Sequence, residues 1–357
     1  MIERFTCRDF RNLEPLEWRP EAGRQIVVGA NGAGKTSLLE ALYLLATSRS
    51  FRGARPAECC RRGAAAFFLE AEIGGERRAR LAVGWSADGG LERRLNGKSA
   101  TPSDHLAAQP VVAWSAADAE LLDGPPLLRR RLLDQGVVAA RPGALAVLAR
   151  YRQALEQKRR LLAEGLEGLG PWNELLAAAA NELIELRRDH AEQLGAALAA
   201  VLVEGGLDLG RVELLYRPSA DPGAGGSMAV LEQLERTRDA ERRQRRPLIG
   251  PHRDDLEVLW QGRGLRRAAS AGEKKLLGLA LTAARGRLLE AAGRQPLYLL
   301  DDADGDLDRR RLEASWGLFT GASQLIATSH RPEAWSVVGG VVERRLEDGR
   351  MEVVGKP

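Results

Sequence analysis

The sequence predicts an α/β fold: a nucleotide-binding lobe with a mixed parallel sheet and an antiparallel flanking sheet, interrupted by a long helical insertion. Three observations carry that expectation. Gly29-Ala30-Asn31-Gly32-Ala33-Gly34-Lys35-Thr36 fits GxxxxGK[ST] and lies between an apolar run, Gln25 to Val28, and an apolar-periodic one at Leu38, Leu39, Leu42 and Leu45. It therefore reads as a loop joining a strand to a helix. Pro296-Leu297-Tyr298-Leu299-Leu300-Asp301-Asp302 is an apolar strand ending in two carboxylates, and strand and helix patterns alternate around it as in a parallel sheet. Between about Pro125 and Arg246 the texture changes to Ala, Leu, Glu, Gln and Arg, all good helix formers.

The chain opens with strand-like alternation at residues 2–7, 16–18 and 26–28. Beyond the first helix, strands are expected at 67–73, 80–85, 91–96 and 111–114, with Asn96-Gly97 as the dipeptide of a tight hairpin. That region reads as an antiparallel sheet beside the loop. Pro142 opens a helix to about Glu164, and Pro171 opens another to about Glu204, with a turn at 165–170 between them. At ~1.5 Å per residue the longer helix reaches about 50 Å. An arm and a plain packed subdomain are both open readings of this hairpin. Asp221-Pro222-Gly223-Ala224-Gly225-Gly226 is a loop signal, and the helix from Met228 ends in Arg242-Arg243-Gln244-Arg245-Arg246, a run that suits either phosphate or solvent. Strand patterns return at 256–260, 297–300 and 324–328, with a helix from Ser270. The expected domains are a discontinuous lobe, 1–124 with 247–357, and an inserted helical arm subdomain at 125–246.

At 357 residues, with 44% apolar and 29% charged residues, the chain has room for two domains or for one with an insertion. No charged and apolar leader and no unbroken apolar stretch of ~18 residues is seen, so a cytoplasmic protein is expected. Cys7, Cys59 and Cys60 have no metal-ligand spacing. The net charge of +4 comes mostly from arginine, which suits phosphate recognition but also follows genome composition.

The motifs narrow the chemistry. Glycines let a backbone wrap closely around a phosphate chain, so residues Gly29, Ala30, Asn31, Gly32, Ala33, Gly34, Lys35, Thr36 and Ser37 are expected to bind a nucleotide, with Lys35 on the β- and γ-phosphates and Thr36 on Mg2+. Asp301, at a strand end, is placed to hold the same metal, and Asp302 to polarise an attacking water. Ala269-Ser270-Ala271-Gly272-Glu273-Lys274-Lys275 opens an apolar helix. Ser270 with Glu273 reads as a capping box, and the same turn at a helix N-terminus also reads as a second phosphate-binding surface. Both readings hold together.

This order of elements resembles the ATP-binding-cassette ATPase superfamily. The resemblance implies ATP as the nucleotide, and Ser270, Gly272, Glu273 and Lys274 as a signature motif covering the γ-phosphate held by a partner copy in a homodimer. It also implies a D-loop at Asp304-Gly305-Asp306-Leu307-Asp308 and a switch histidine at His330. Within the superfamily the chain is similar to the RecF family of DNA-repair ATPases. The residues that carry this are Phe10-Arg11-Asn12-Leu13, the run through the phosphate loop to Phe51, Arg129-Arg130-Arg131-x-Leu-Asp134, Ile249-Gly250-Pro251-His252-Arg253-Asp254-Asp255-Leu256, and Leu299 to Asp308. By that likeness Arg11 and Asn12 sit near the nucleotide, and Asp118 belongs to a loop that senses the γ-phosphate and the metal. The implied function is an ATP-dependent dimerising clamp on double-stranded and gapped DNA, hydrolysing ATP slowly and acting with RecO and RecR in RecA loading.

Three positions depart from the family pattern. Glu273 stands where the family has glutamine, Trp114-Ser115-Ala116-Ala117 precedes Asp118 where Phe-x-Pro-Glu is usual, and Asp302 takes the place of the superfamily's catalytic glutamate. A transporter ATPase subunit would lack the arginine-rich arm, and an SMC- or Rad50-like tether would need a far longer coiled coil. Candidate DNA contacts are Arg52, Arg55, Arg187, Arg188, Arg242 and Arg243, with Arg245 and Arg246 beside them.

Overall fold

The structure is a computed structural model that describes residues 1–352 apart from 76–77, 123, 208, 266–268, 306, 336–337 and 340. Backbone contacts group the chain into two units. One comprises Met1–Ala119, Ala200–Leu209 and Ser270–Pro357, the other Glu120–Ala199 and Gly210–Ala269.

The first unit begins with β1 (Ile2–Arg8), β2 (Leu16–Trp18), β3 (Gly23–Val28), α1 (Lys35–Thr47), β4 (Ala66–Ile73), β5 (Ala79–Ser86), β6 (Gly90–Leu95), β7 (Lys98–Ser99), α2 (Pro102–Ala108) and β8 (Val111–Trp114). The second unit holds α3 (Pro126–Ala140), α4 (Ala144–Glu164), most of α5 (Leu169–Glu204), β9 (Val212–Arg217), α6 (Gly226–Gln244), β10 (Asp255–Trp260) and β11 (Arg263–Gly264). The chain then returns to the first unit with α7 (Ala271–Ala291), β12 (Leu297–Leu300), α8 (Arg309–Gly317), β13 (Gln324–Ser329), α9 (Pro332–Trp335), β14 (Val342–Glu347) and β15 (Arg350–Glu352).

Two six-stranded sheets build the first unit. One is antiparallel, in the order β2-β1-β4-β5-β6-β7. The other runs β15-β14-β3-β13-β12-β8 and is parallel except at β15. Residues of both sheets share one core with α1, whose Leu38, Leu39, Ala41, Leu42, Leu44 and Leu45 are at most 1% exposed. A helix that is apolar all round is buried all round, and this one fixes the loop at its N-terminus from below. The Asn96-Gly97 hairpin forms as expected. Both residues take positive φ, 53° and 79°, as the tight turn between twisted strands requires.

Some elements fall elsewhere than the pattern suggests. Residues 111–114 join the parallel sheet as its edge beside β12, not the antiparallel sheet, because all four are buried where a half-wet strand would alternate. Residues 255–260 do not continue the parallel core. They pair antiparallel with β9, a strand not foreseen, in a three-stranded sheet of the second unit. The second unit therefore runs from 120 to 269, with 200–209 excepted, and is not the purely helical 125–246 segment. β10 buries only alternate residues, whereas β12 and β13 are buried throughout, and that difference in solvation separates the two sheets. α5 starts at Leu169 and carries Pro171 in its first turn, where a missing N–H costs nothing.

Candidate active site

The ends of β3, β12 and β13 lie side by side, with Leu300 opposite Ala327 and Val28 opposite Ser329. Parallel strands deliver their C-terminal residues to one crevice, so the phosphate loop, the paired aspartates and the segment at His330 meet there. In the loop, Gly32 and Gly34 take φ of 85° and 106°. A Cβ on Gly29 would stand 2.2 Å from the Leu346 carbonyl oxygen, so only glycine lets the loop pass β14. Asn12 braces the loop, donating from Nδ2 to the Gly32 carbonyl at 2.8 Å and accepting from Ser37 Oγ at 2.7 Å. Lys35 Nζ donates back to the Gly29 and Ala30 carbonyls at 2.7 and 2.9 Å. Burial lowers the Lys35 pKa, and Asp301, Asp302 and Asp304 pull it the other way. No side chain caps α1, whose first N–H groups are left for an anion.

A line of hydrogen bonds joins the loop to the strand ends. Thr36 Oγ1 and Thr328 Oγ1 both donate to Asp301 Oδ1, at 3.0 and 2.7 Å. Thr328 Oγ1 also accepts from the Asp302 N–H at 3.0 Å, and Asp302 Oδ1 lies 3.0 Å from His330 Nδ1. Against a carboxylate, Nδ1 carries the proton. Asp302 has a left-handed φ of 49°, and Lys275 Nζ donates to its carbonyl at 2.7 Å. Burial is the largest influence on Asp301 and raises its pKa, while hydrogen bonds from Thr328 and Thr36 and the charge of Arg52 lower it. A half-buried carboxylate beside a threonine hydroxyl is a hard oxygen donor set that fits Mg2+. Among the described residues no three His, Cys, Asp or Glu side chains form a protein-only metal cage, so that ion would draw its other ligands from phosphate and water.

Sequence reasoning missed how His330 is held. Asp304 is fully buried; it accepts from Ser329 Oγ at 2.8 Å and from Arg331 Nε at 3.2 Å, and Arg331 also donates to the Asp304 carbonyl. The residues on both sides of His330 are thus tied to the first residue of the expected D-loop. No sequence pattern signals the pair, since its members are 27 positions apart. Asp306 lies outside the described residues.

The remaining predicted site residues are busy with structural work. Arg11 donates from Nε and Nη2 to buried Glu40 of α1, at 2.9 and 2.8 Å, and from Nη1 to the Glu58 carbonyl at 2.7 Å. Asp118 accepts from the Ser115 N–H and Oγ at 2.7 and 2.9 Å, closing the turn that follows β8, and burial raises its pKa. No described hydrogen bond ties Asp118 to Asp301 or Thr36. Ser270 caps α7 in the expected box, with Glu273 Oε2 accepting from Ser270 N–H at 2.8 Å and from its hydroxyl at 2.6 Å. These bonds to Ser270 lower the Glu273 pKa.

A family model described as RecF/RecN/SMC N terminal domain matches residues 1–349. The chain is 33% identical to the DNA replication and repair protein RecF of Acidothermus cellulolyticus, across 92% of this chain and 93% of the relative. It is 34% identical to the RecF of an Anaeromyxobacter species, strain Fw109-5, across 95% and 97%. The chain belongs to the RecF family. Its fold agrees. A solved structure of the recombination mediator protein RecF-ATP in the RecFOR pathway superposes with a TM-score of 0.89 at 24% identity, covering 99% of this chain and 97% of that one. An Smc head bound to the C-winged helix domain of ScpA superposes at 0.59 and 18% identity, covering 99% and 96%, as expected of an SMC-like ATPase fold.

In this RecF-family chain the motifs at 129–134 and 249–256 lie in the second unit, not in the lobe, and hold that unit together. Arg129 makes a two-pronged pair with Asp255 at 2.7 and 2.8 Å, and Arg130 donates to the Asp254 carbonyl at 2.7 Å. Arg187, 3% exposed, bonds Asp134, Asp254 and the Pro251 carbonyl at 2.7–3.0 Å. That burial removes Arg187 from the candidate DNA contacts. Arg188 pairs with Glu185 and Asp221, Arg242 with Glu167, and Arg52 lies 3.7 Å from Glu40. Arg55 and Arg243 remain exposed. Among the described residues no helix is long and apolar enough to cross a membrane.

Proposed function

We propose that this chain is an ATP-dependent DNA clamp. ATP and Mg2+ bind at the phosphate loop, two copies meet head to head over them, the dimer holds duplex or gapped DNA, and slow hydrolysis releases it. The observation that carries this reading is the hydrogen-bonded line Thr36–Asp301–Thr328–Asp302–His330. It links the metal-side threonine to the water-side carboxylate and the switch histidine, so occupancy of the loop is felt where hydrolysis occurs.

The residues divide the work. Lys35 exchanges the Gly29 and Ala30 carbonyls for phosphate oxygens, and the free N–H groups of α1 add to the cradle. Thr36 and Asp301 would hold Mg2+, which when bound neutralises phosphate charge. Asp302 orients and deprotonates the attacking water, and its side chain, one methylene shorter than glutamate, suits slow turnover. Ser270 of a partner copy closes on the γ-phosphate once Glu273 releases its hydroxyl. The names of the RecF relatives and of the RecFOR pathway support DNA, RecO and RecR as partners; RecA loading is the outcome that the family resemblance implies.

Sedimentation with and without ATP and Mg2+, in the presence of gapped duplex, tests the reading. The wild type is expected to shift from monomer to dimer only with nucleotide, and Lys35→Ala to remain monomeric. A wild type indifferent to ATP would falsify the clamp, and a shift retained by Lys35→Ala removes Lys35 from the site.

A further inference from the structure

The second unit contains a cavity of about 310 Å³ lined by Arg159, Arg246, Pro247, His252 and Arg253. Three guanidinium groups line it and no carboxylate does. Arg253 reaches the Pro247 carbonyl at 3.4 Å, Arg246 the Gln244 side-chain oxygen at 3.0 Å, and Arg159, among the described residues, Glu156 on its own helix at 3.7 Å. All three are exposed, unlike Arg187, and none anchors the fold.

His252 lines the same cavity and is held in place by Tyr151. The Tyr151 hydroxyl accepts the His252 backbone N–H at 3.1 Å and lies 2.7 Å from Nδ1. These two contacts fix the position of the imidazole against Tyr151. Nε2 is buried on the side of the Pro247 carbonyl, which hydrogen-bonds the ring and is also reached by Arg253. Burial, with the charges of Arg159, Arg253 and Lys158, lowers the His252 pKa to about 4, so the ring is neutral at neutral pH. A neutral ring leaves the charge of the cavity to its three guanidinium groups, and that charge is complementary to an anion.

We propose that this cavity binds a backbone phosphate of duplex DNA, with the guanidinium groups of Arg159, Arg246 and Arg253 donating to its oxygens. The inference rests on the clamp reading above and gives it a DNA-contacting site. A polyanion fits better than a free anion because the cavity opens at the end of α6, where Arg243 and Arg245 stand exposed without a carboxylate partner among the described residues. A row of cations of that kind displaces counterions along a phosphate chain.

The test is an anisotropy titration of a labelled gapped duplex with the full chain, ATP and Mg2+ over a series of salt concentrations. Arg246→Gln combined with Arg253→Gln is expected to weaken binding about tenfold or more and to lower the slope of log affinity against log salt by about 0.9 for each phosphate that is no longer neutralised. ATP-dependent dimerisation should be unchanged. Arg236→Gln with Arg238→Gln removes two equal charges from α6 outside the cavity and is expected to cost less than about threefold. Equal losses in the two pairs, or no loss in the cavity pair, overturn the cavity assignment and leave the clamp reading standing. A wild type that does not bind DNA at all overturns both.

Discussion

At the scale of single residues, the site depends on how Asp302 is held. Its left-handed backbone, the Lys275 bond to its carbonyl and the His330 contact aim a short carboxylate that would otherwise rotate freely. Asp302→Asn keeps the size and removes the base. Hydrolysis is expected to fall by about 10²-fold or more, while nucleotide binding and the ATP-stabilised dimer persist. Phosphate release in single turnover, compared with nucleotide binding, checks this; loss of binding itself would make Asp302 a ligand. Lys35, Thr36 and Asp301 were legible because each stands in a contiguous motif whose backbone shape is local. Thr328 and Arg331 were not, because a threonine in a strand and an arginine after a histidine read as ordinary surface or core residues until their partners 27 positions away are known.

At the scale of elements, α1 is held by charge as well as by apolar packing. Glu40 is fully buried in it and meets Arg11 at 2.8 Å, Ser50 Oγ at 2.5 Å and Arg52 at 3.7 Å, tying the segment after β1 and the loop after α1 to one carboxylate. Removing one partner of such a pair leaves the other charge unmatched. Glu40→Gln is therefore expected to destabilise the first unit by about 3 kcal/mol, read from denaturant unfolding. α2 adds a pH dependence. His105 is fully buried, its Nε2 is 2.7 Å from the Leu45 carbonyl, and burial holds its pKa at about 4. An unfolded histidine titrates near 6.5, so between pH 6.5 and 4 the unfolded chain gains a proton that the folded chain does not. Stability should fall as pH drops through that window, by up to about 3 kcal/mol from this group. His105→Gln, still able to donate to Leu45 but without a charge to gain, should flatten that limb of the stability curve. An unchanged limb would assign the loss to other groups.

At the scale of the whole molecule, the sequence pattern located the interruption of the lobe but misplaced its far edge. Residues 247–269 read as a return to the core because they hold a strand, yet that strand pairs with β9 and its flanking motif binds Arg129, Arg130 and Arg187. Nucleotide should stabilise the whole chain by linkage. At about a hundredfold excess over Kd, ATP with Mg2+ is expected to add about 2.7 kcal/mol. Coupling to dimerisation should also make Tm depend on protein concentration, but only with ATP present. Calorimetry at two protein concentrations checks both, and a Tm raised equally in Lys35→Ala would place the ligand elsewhere.

The phosphate loop, the aspartates at the end of β12, the capped start of α7 and the parallel strands they imply can all be read from the amino-acid order. Each is encoded in a few consecutive residues whose backbone geometry and hydrophobic period are local. Folding in three dimensions was needed to settle which arginines are buried, that Arg11 serves Glu40, that Asp304 holds both neighbours of His330, and that an arginine-lined cavity surrounds His252. The difference is electrostatic: a charged side chain looks the same in sequence whether it is solvated, paired or waiting for an anion, and its partner lies on a distant segment.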